Sequence, residues 1–196
     1  IKMGDLESPS GLTNLGNTCY LNSSLQTLFT IDELKNDLKS LENRDDQLIW
    51  NLKELFVKLS SRGGAVTPLN FLTSLRRAVP QFAEQDQQHG FYKQQDAEEA
   101  YSQILNRVIA KFPDMEKYFK IEFKTETKCK EVENEEPVWN FEEGGKLNCH
   151  ISGSTNFLQD GLKKSMKETL EKNNEQLGRN AIYEIDKTIT KLPKYL

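Results

Sequence analysis

Residues Gly11 to Gln26 read GLTNLGNTCYLNSSLQ, and the fold is decided by how this stretch is understood. Gly11 and Gly16 permit a tight approach in which backbone amides point inward. A short helix is expected to start near Cys19 and run through LNSSLQTLF. A cysteine at a helix start meets unpaired N–H groups and the positive end of the helix dipole, and both favour a thiolate. Asn14, five residues earlier, lies on the loop leading into that helix. Its side-chain amide is a neutral donor, suited to an oxyanion formed when a thiolate attacks a carbonyl. Taken alone, a single cysteine is ordinarily a small buried hydrophobe. The choice between the two roles has to come from the surrounding chain.

Towards the N-terminus, residues 1–10 (IKMGDLESPS) are polar and read as an extended lead-in. Towards the C-terminus the pattern is helical for a hundred residues. A helix is expected at 32–42, capped by Asp32. Leu48, Leu52, Leu55, Phe56 and Leu59 recur at helical spacing and form one apolar stripe, ending at the turn Arg62-Gly63-Gly64. Thr67-Pro68 places a cap before a first-turn proline, so the next helix covers 68–78. A long helix follows at 96–111, with Ala97, Tyr101, Ile104, Leu105, Val108 and Ile109 on one face.

Near residue 118 the period changes to two. Phe119, Ile121, Phe123, Thr125, Thr127 and Cys129 alternate as in a half-buried strand, and Leu147, Cys149 and Ile151 repeat the pattern. The acidic stretch between them, EVENEEPVWNFEEGG, reads as a solvated loop. A helix is expected at 157–172, and AIYEIDKTITKLPKYL returns to strand character. Helices followed by antiparallel strands give an α+β class, with a helical part over 11–117 and a strand-rich part over 118–196.

Composition narrows the function. The 196 residues carry a net charge of −4, which does not suggest nucleic acid as the main partner. No apolar run approaches the roughly 18 residues of a membrane span. Three well-separated cysteines argue against a disulfide framework and for a reducing compartment. The chain opens on Ile1 and stops at Leu196 in mid-pattern, so a longer domain is expected.

The stretch around Cys19 closely resembles the cysteine box of the ubiquitin-specific proteases. It matches at Gly11, Leu12, Asn14, Gly16, Asn17, Thr18, Cys19, Tyr20, Asn22 and Gln26. A second block, Gln94-Gln95-Asp96-Ala97-Glu98-Glu99, resembles the QQDAxE motif of the same family. Locally this block also reads as a capping box, with Asp96 as N-cap and Glu99 three residues on. The resemblance implies a papain-like cysteine protease fold of thumb, fingers and palm, of which these residues form the N-terminal portion. It implies Cys19 as nucleophile and Asn14 as oxyanion donor. Gln95, Asp96 and Glu99 would contact the arginine-bearing C-terminal tail of ubiquitin.

The activity implied is hydrolysis at the C-terminal glycine of ubiquitin, with ubiquitin and ubiquitinated proteins as partners and no cofactor. Weaker matches resemble the proteasome-associated branch of the family: Phe82-Ala83-Glu84 after Pro80-Gln81, Gly90 before Tyr92, the strand Ile121–Lys130, and Leu192-Pro193. They imply the 26S proteasome regulatory particle as a partner and a cytoplasmic and nuclear location. A non-catalytic ubiquitin-binding or proteasome-regulating module with a silent Cys19 is the alternative. A self-contained papain-type peptidase of general specificity would need a local histidine and asparagine.

Neither histidine fits the family's Gly-His-Tyr context, so the catalytic histidine is expected outside these residues. His89 sits in a polar turn, and His150 alternates with Cys149 on the expected strand. Many relatives hold zinc with two CxxC pairs, but Cys129 and Cys149 stand singly and with His150 make only three candidates, so no metal is expected. The two cysteines are expected to face the interior of a hairpin.

Overall fold

The computed structural model describes residues 10–61 and 63–196, in two compact units that divide after Met115. The lead-in expected at residues 1–9 and the Arg62 position of the expected turn lie outside the described residues.

The first unit is helical. Helix α1, Cys19–Phe29, buries Tyr20, Leu21, Ser24, Leu25 and Leu28. Helix α2 spans Asp32–Ser40 and buries Leu34 and Leu38. Its N-cap position is Ile31, so Asp32 does not cap it. Instead the Asp32 carboxylate pairs with Lys35 at 2.7 Å and lies in the first turn, where a negative charge complements the dipole. In α3, Gln47–Ser60, the expected stripe of Leu48, Leu52, Leu55, Phe56 and Leu59 is buried together with Ile49. Full burial of one such side chain stabilises the fold by about 2 kcal/mol. Asp46 caps this helix by accepting from the N–H groups of Leu48 and Ile49.

Helix α4 covers Leu69–Ala78, with Pro68 at the cap position. The Thr67 hydroxyl faces that of Thr13 at 3.4 Å rather than capping the helix. Helix α5, Ala97–Lys111, buries Ala100, Ile104, Leu105 and Val108, while Ala97 is exposed. A parallel pair of two-residue strands, β1 (Gly11–Leu12) and β2 (Ala65–Val66), completes the unit.

The second unit is a four-stranded antiparallel sheet in the order β4-β3-β6-β5, with one short helix. Strand β3 covers Ile121–Cys129, β4 Val138–Gly144, β5 Lys167–Asn174 and β6 Arg179–Lys191. Helix α6 is Leu158–Ser165. Phe119 is buried but lies in the 3-10 turn region ahead of β3 rather than in the strand.

The strand-rich part differs from the sequence expectation in several segments. Leu147, Cys149 and Ile151 do not form a strand, so Cys149 and His150 do not alternate across one. The partner of β3 is β4, inside the stretch expected to be a loop. Its register sets Phe123 opposite Glu142 and Thr125 opposite Asn140. As an edge strand, β4 is exposed along nearly its whole length, which removes the alternation that marks a half-buried strand. Its acidic residues meet lysines: Glu143 pairs with Lys120 at 2.6 Å. Lys124 lies over the Trp139 ring, 3.8 Å from its centroid.

The helix expected at 157–172 ends at Ser165. From Lys167 the backbone pairs with β6, Leu170 opposite Tyr183, so pairing overrides the helical propensity of KETLEK. Cys129, Ala181 and Tyr183 form a small core with Val132 and Leu170 beside it. Cys149 instead lies against α6, with Gly161 facing its sulfur. The two cysteines therefore occupy different environments rather than one hairpin interior. Among the described residues no helix is long and apolar enough to cross a membrane.

Candidate active site

The approach to Cys19 is held by α1 itself. Gln26 donates its side-chain amide to the Ser10 carbonyl at 3.1 Å, and Asn22 donates to the carbonyls of Leu12 and Thr13, each at 3.3 Å. Thr13 N–H donates to the Val66 carbonyl at 3.0 Å, continuing the β1–β2 pairing. The strand before the cysteine is thus pinned to the helix after it.

Between them lies a tight turn built on Asn14. Its Oδ1 accepts from the Gly16 N–H at 3.0 Å, the Thr18 N–H at 3.3 Å and the Thr18 hydroxyl at 3.1 Å. Thr18 is fully buried, and its Oγ1 in turn accepts from Leu15 N–H at 2.9 Å. The turn places Gly16 at φ 88° and Asn17 at φ 52°, in the left-handed region that glycine and asparagine tolerate best. The donor half of Asn14 is the part expected to act on an oxyanion, whereas its acceptor half builds the turn. Three donors converging on one atom identify it as the oxygen. Among the described residues, Asn14 Nδ2 has no hydrogen-bond partner.

Cys19 is the first residue of α1, and its thiol is free and exposed. The neighbouring Tyr20 points the other way and stacks on Phe82 with ring centroids 5.8 Å apart. Burial pushes the Tyr20 hydroxyl above its ordinary range, with Arg76 opposing.

The second block lies just before α5 and is brought to this turn. Gln94 donates its side-chain amide to Cys19 Sγ at 3.2 Å. Two residues earlier, the Tyr92 carbonyl accepts from Asn17 Nδ2 at 3.0 Å. The Arg76 guanidinium stacks on the Tyr92 ring and donates to the Phe82 carbonyl. Gln95 turns away, its amide donating to the Gln81 carbonyl at 3.0 Å. Asp96 caps α5, its Oδ1 accepting from Glu98 N–H at 2.7 Å and Glu99 N–H at 3.2 Å. Glu99 is half-buried in the first turn. Ser24 of α1 donates to the Ala97 carbonyl at 2.9 Å, which fixes the start of α5 against α1.

Of the residues singled out from sequence, Cys19, Asn14, Gln95, Asp96 and Glu99 therefore lie in one unit, on two adjoining segments. The residue that touches the sulfur, Gln94, was missed. Neighbours in an extended segment face opposite sides. Only one of Gln94 and Gln95 can reach the cysteine, and the sequence does not say which. His89 is exposed and its Nδ1 lies 2.9 Å from Asp86 Oδ2. That contact, with the Gln88 N–H, holds the Asp86 carboxyl below its ordinary range.

An exposed cysteine thiol at a helix start, a segment leading into an acidic helix turn that reaches it through Gln94, and a helical unit preceding an antiparallel sheet in the chain are the features a family assignment has to match. The chain matches the family profile described as ubiquitin carboxyl-terminal hydrolase across residues 10–196, and it belongs to that family.

It is 37% identical over 191 residues to ubiquitin carboxyl-terminal hydrolase 6 of Schizosaccharomyces pombe, covering 96% of this chain and 40% of the relative. With ubiquitin carboxyl-terminal hydrolase 7 of Arabidopsis thaliana it shares 36% over 204 residues, covering 95% and 42%. With ubiquitin carboxyl-terminal hydrolase 14 of Caenorhabditis elegans it shares 33% over 202 residues, covering 96% and 40%. The chain thus spans about two-fifths of the length of these relatives.

Proposed function

We propose that the protein is a thiol-dependent deubiquitinating hydrolase with Cys19 as its nucleophile. The observation that carries this is the open Cys19 sulfur at the first position of α1, met by Gln94 from the segment that leads into α5, in a chain of this family. In the proposed reaction Sγ attacks the carbonyl carbon of ubiquitin's last glycine in its isopeptide bond to a lysine. A histidine outside residues 1–196 takes the thiol proton and passes it to the departing lysine amine as the C–N bond breaks. Water then adds to the thioester, releasing the ubiquitin carboxylate and restoring the thiol.

The donor half of Asn14, oriented by the three bonds to its oxygen, and the Cys19 main-chain N–H serve the tetrahedral oxyanion. Asp96 and Glu99 receive the arginine-bearing ubiquitin tail. Gln95 joins them through its carbonyl oxygen, since its amide nitrogen is engaged by Gln81. The partners in this reading are ubiquitin, ubiquitinated proteins and the 26S proteasome regulatory particle, in cytoplasm and nucleus. Three free thiols agree with a reducing compartment. The proteasome partnership is supported by the sequence around Phe82-Ala83-Glu84 and Leu192-Pro193.

The test is adduct formation between the full-length protein and ubiquitin carrying a C-terminal electrophile. The native protein should form a stable adduct and Cys19→Ala none, with an unchanged circular dichroism spectrum. Equal labelling of the variant ends the reading, and ubiquitin binding without an adduct from the native protein makes it a binding module instead. Turnover of a fluorogenic ubiquitin substrate should rise when purified proteasomes are added; equal turnover with and without them removes the proteasome from the account.

A further inference from the structure

We infer that Gln94 is a positioning residue for the Cys19 thiol, an assignment that rests on Cys19 being the nucleophile. Its amide nitrogen donates to Sγ at 3.2 Å across 75 residues of chain, and Asn17 reaches Tyr92 across the same separation. The turn before α1 and the segment before α5 are therefore matched position for position, Asn17 with Tyr92 and Cys19 with Gln94.

The backbone that carries Gln94 is fixed on both sides. Lys93 N–H donates to the Glu84 carbonyl at 2.9 Å, Gln95 ties to Gln81, and Asp96 caps α5. The Gln94 side chain itself is exposed, and the sulfur is what orders it. An unbranched thiol side chain rotates among three staggered positions. A donor fixed on one side selects the position in which the sulfur meets that donor, and attack on a carbonyl depends on such placement. The bond strengthens when the sulfur is charged, because a hydrogen bond to an ionised acceptor is stronger than one between neutral groups. Gln94 neither gives nor takes a proton. As the electron pair of sulfur moves into the new S–C bond, the N–H···S contact weakens and the amide stays neutral.

Two substitutions in the full-length protein test this. Gln94→Met keeps length and flexibility but has no donor, and Gln94→Glu keeps the shape but replaces the donor with an acceptor. Each is followed by the rate at which iodoacetamide alkylates Cys19, read on the Cys19 peptide by mass spectrometry, and by kcat and KM on a fluorogenic ubiquitin substrate.

The expected result is alkylation slowed about threefold or more and kcat lowered about fivefold or more, with KM within about twofold and unchanged melting temperature. Alkylation equal to that of the native protein overturns the assignment whatever happens to turnover. A loss confined to KM also overturns it, as does an unaltered kcat. The alkylation measurement needs no ubiquitin chemistry, so a failure of the deubiquitinase reading and a failure of this one are told apart.

Discussion

The side-chain amide of Asn17 donates to the main-chain carbonyl of Tyr92 at 3.0 Å, joining a residue in the left-handed region to the segment that leads into α5. The bond lies two residues from the cysteine on one side and two residues from Gln94 on the other. The turn before α1 is thus held by a contact that involves neither Cys19 nor Asp96.

Replacing Asn17 separates backbone strain from the lost bond. Asn17→Gly keeps the positive φ and loses the hydrogen bond, at a cost of about 0.5–1.5 kcal/mol. Asn17→Ala loses the same bond and adds about 1 kcal/mol for an alanine held left-handed. The alanine variant should therefore unfold at the lower urea concentration. An alanine variant as stable as the glycine variant would contradict the strained turn. Both should alkylate more slowly at Cys19, because Gln94 is then less firmly placed.

Legibility in the sequence followed burial. The α3 stripe was readable because one face of that helix is sealed in the core, which imposes the 3.6-residue period. Strands β4 and β5 were not, because both lie at sheet edges and present side chains to solvent on both faces. Trp139 and Phe141 lie among glutamates, and the strand exists through its hydrogen bonds to β3 rather than through a buried pattern. At the candidate site, the place of Cys19 at a helix start and the cap at Asp96 were visible as residue types at fixed spacing. The contact of Gln94 with the sulfur was not, since it depends on how two segments 75 residues apart are aligned.

Gly161 offers a prediction whose sign is unusual. Glycine to alanine inside a helix ordinarily stabilises by about 1 kcal/mol. At Gly161 in α6 an added Cβ would run into Cys149 Sγ and lie 2.7 Å from the His150 carbonyl oxygen and 3.3 Å from Thr155 Cγ2. The His150 oxygen is main chain and cannot swing aside. Gly161→Ala should destabilise by about 1–3 kcal/mol, read as a lower melting temperature. A variant at or above the native melting temperature would show that the 149–155 segment is not packed against α6 in this way.

The acid sensitivity of the sheet should be traceable to Glu131. Its carboxylate accepts from Arg179 at 2.6 Å and from the Ile182 N–H at 2.7 Å. The Arg179 hydrogen bond first, and the Ile182 N–H second, hold it below its ordinary value of 4.5. A carboxyl that is more acidic folded than unfolded adds stability above the unfolded value and loses it as pH falls through the folded one. Native protein should therefore exceed Glu131→Gln in urea stability at pH 7, and the difference should close as pH is lowered below 4.5. A difference that persists unchanged at pH 3 would show that the carboxylate charge is not what Arg179 and Ile182 recognise.

Substitution can divide the capping role of Asp96 from the tail-binding role proposed for it. As N-cap of α5 its Oδ1 accepts two main-chain N–H groups, and asparagine caps nearly as well as aspartate. Asp96→Asn should thus leave stability within about 0.5 kcal/mol of the native protein, whereas Asp96→Ala should cost about 1 kcal/mol. The negative charge is a different matter, because a cap works with a neutral oxygen while an arginine-bearing tail is drawn to a carboxylate. Removing that charge in Asp96→Asn should raise KM for a ubiquitin substrate about fivefold or more, with a smaller change in kcat. If KM stays native in Asp96→Asn and rises only in Asp96→Ala, the carboxylate serves the helix alone and its proposed part in holding the tail is withdrawn.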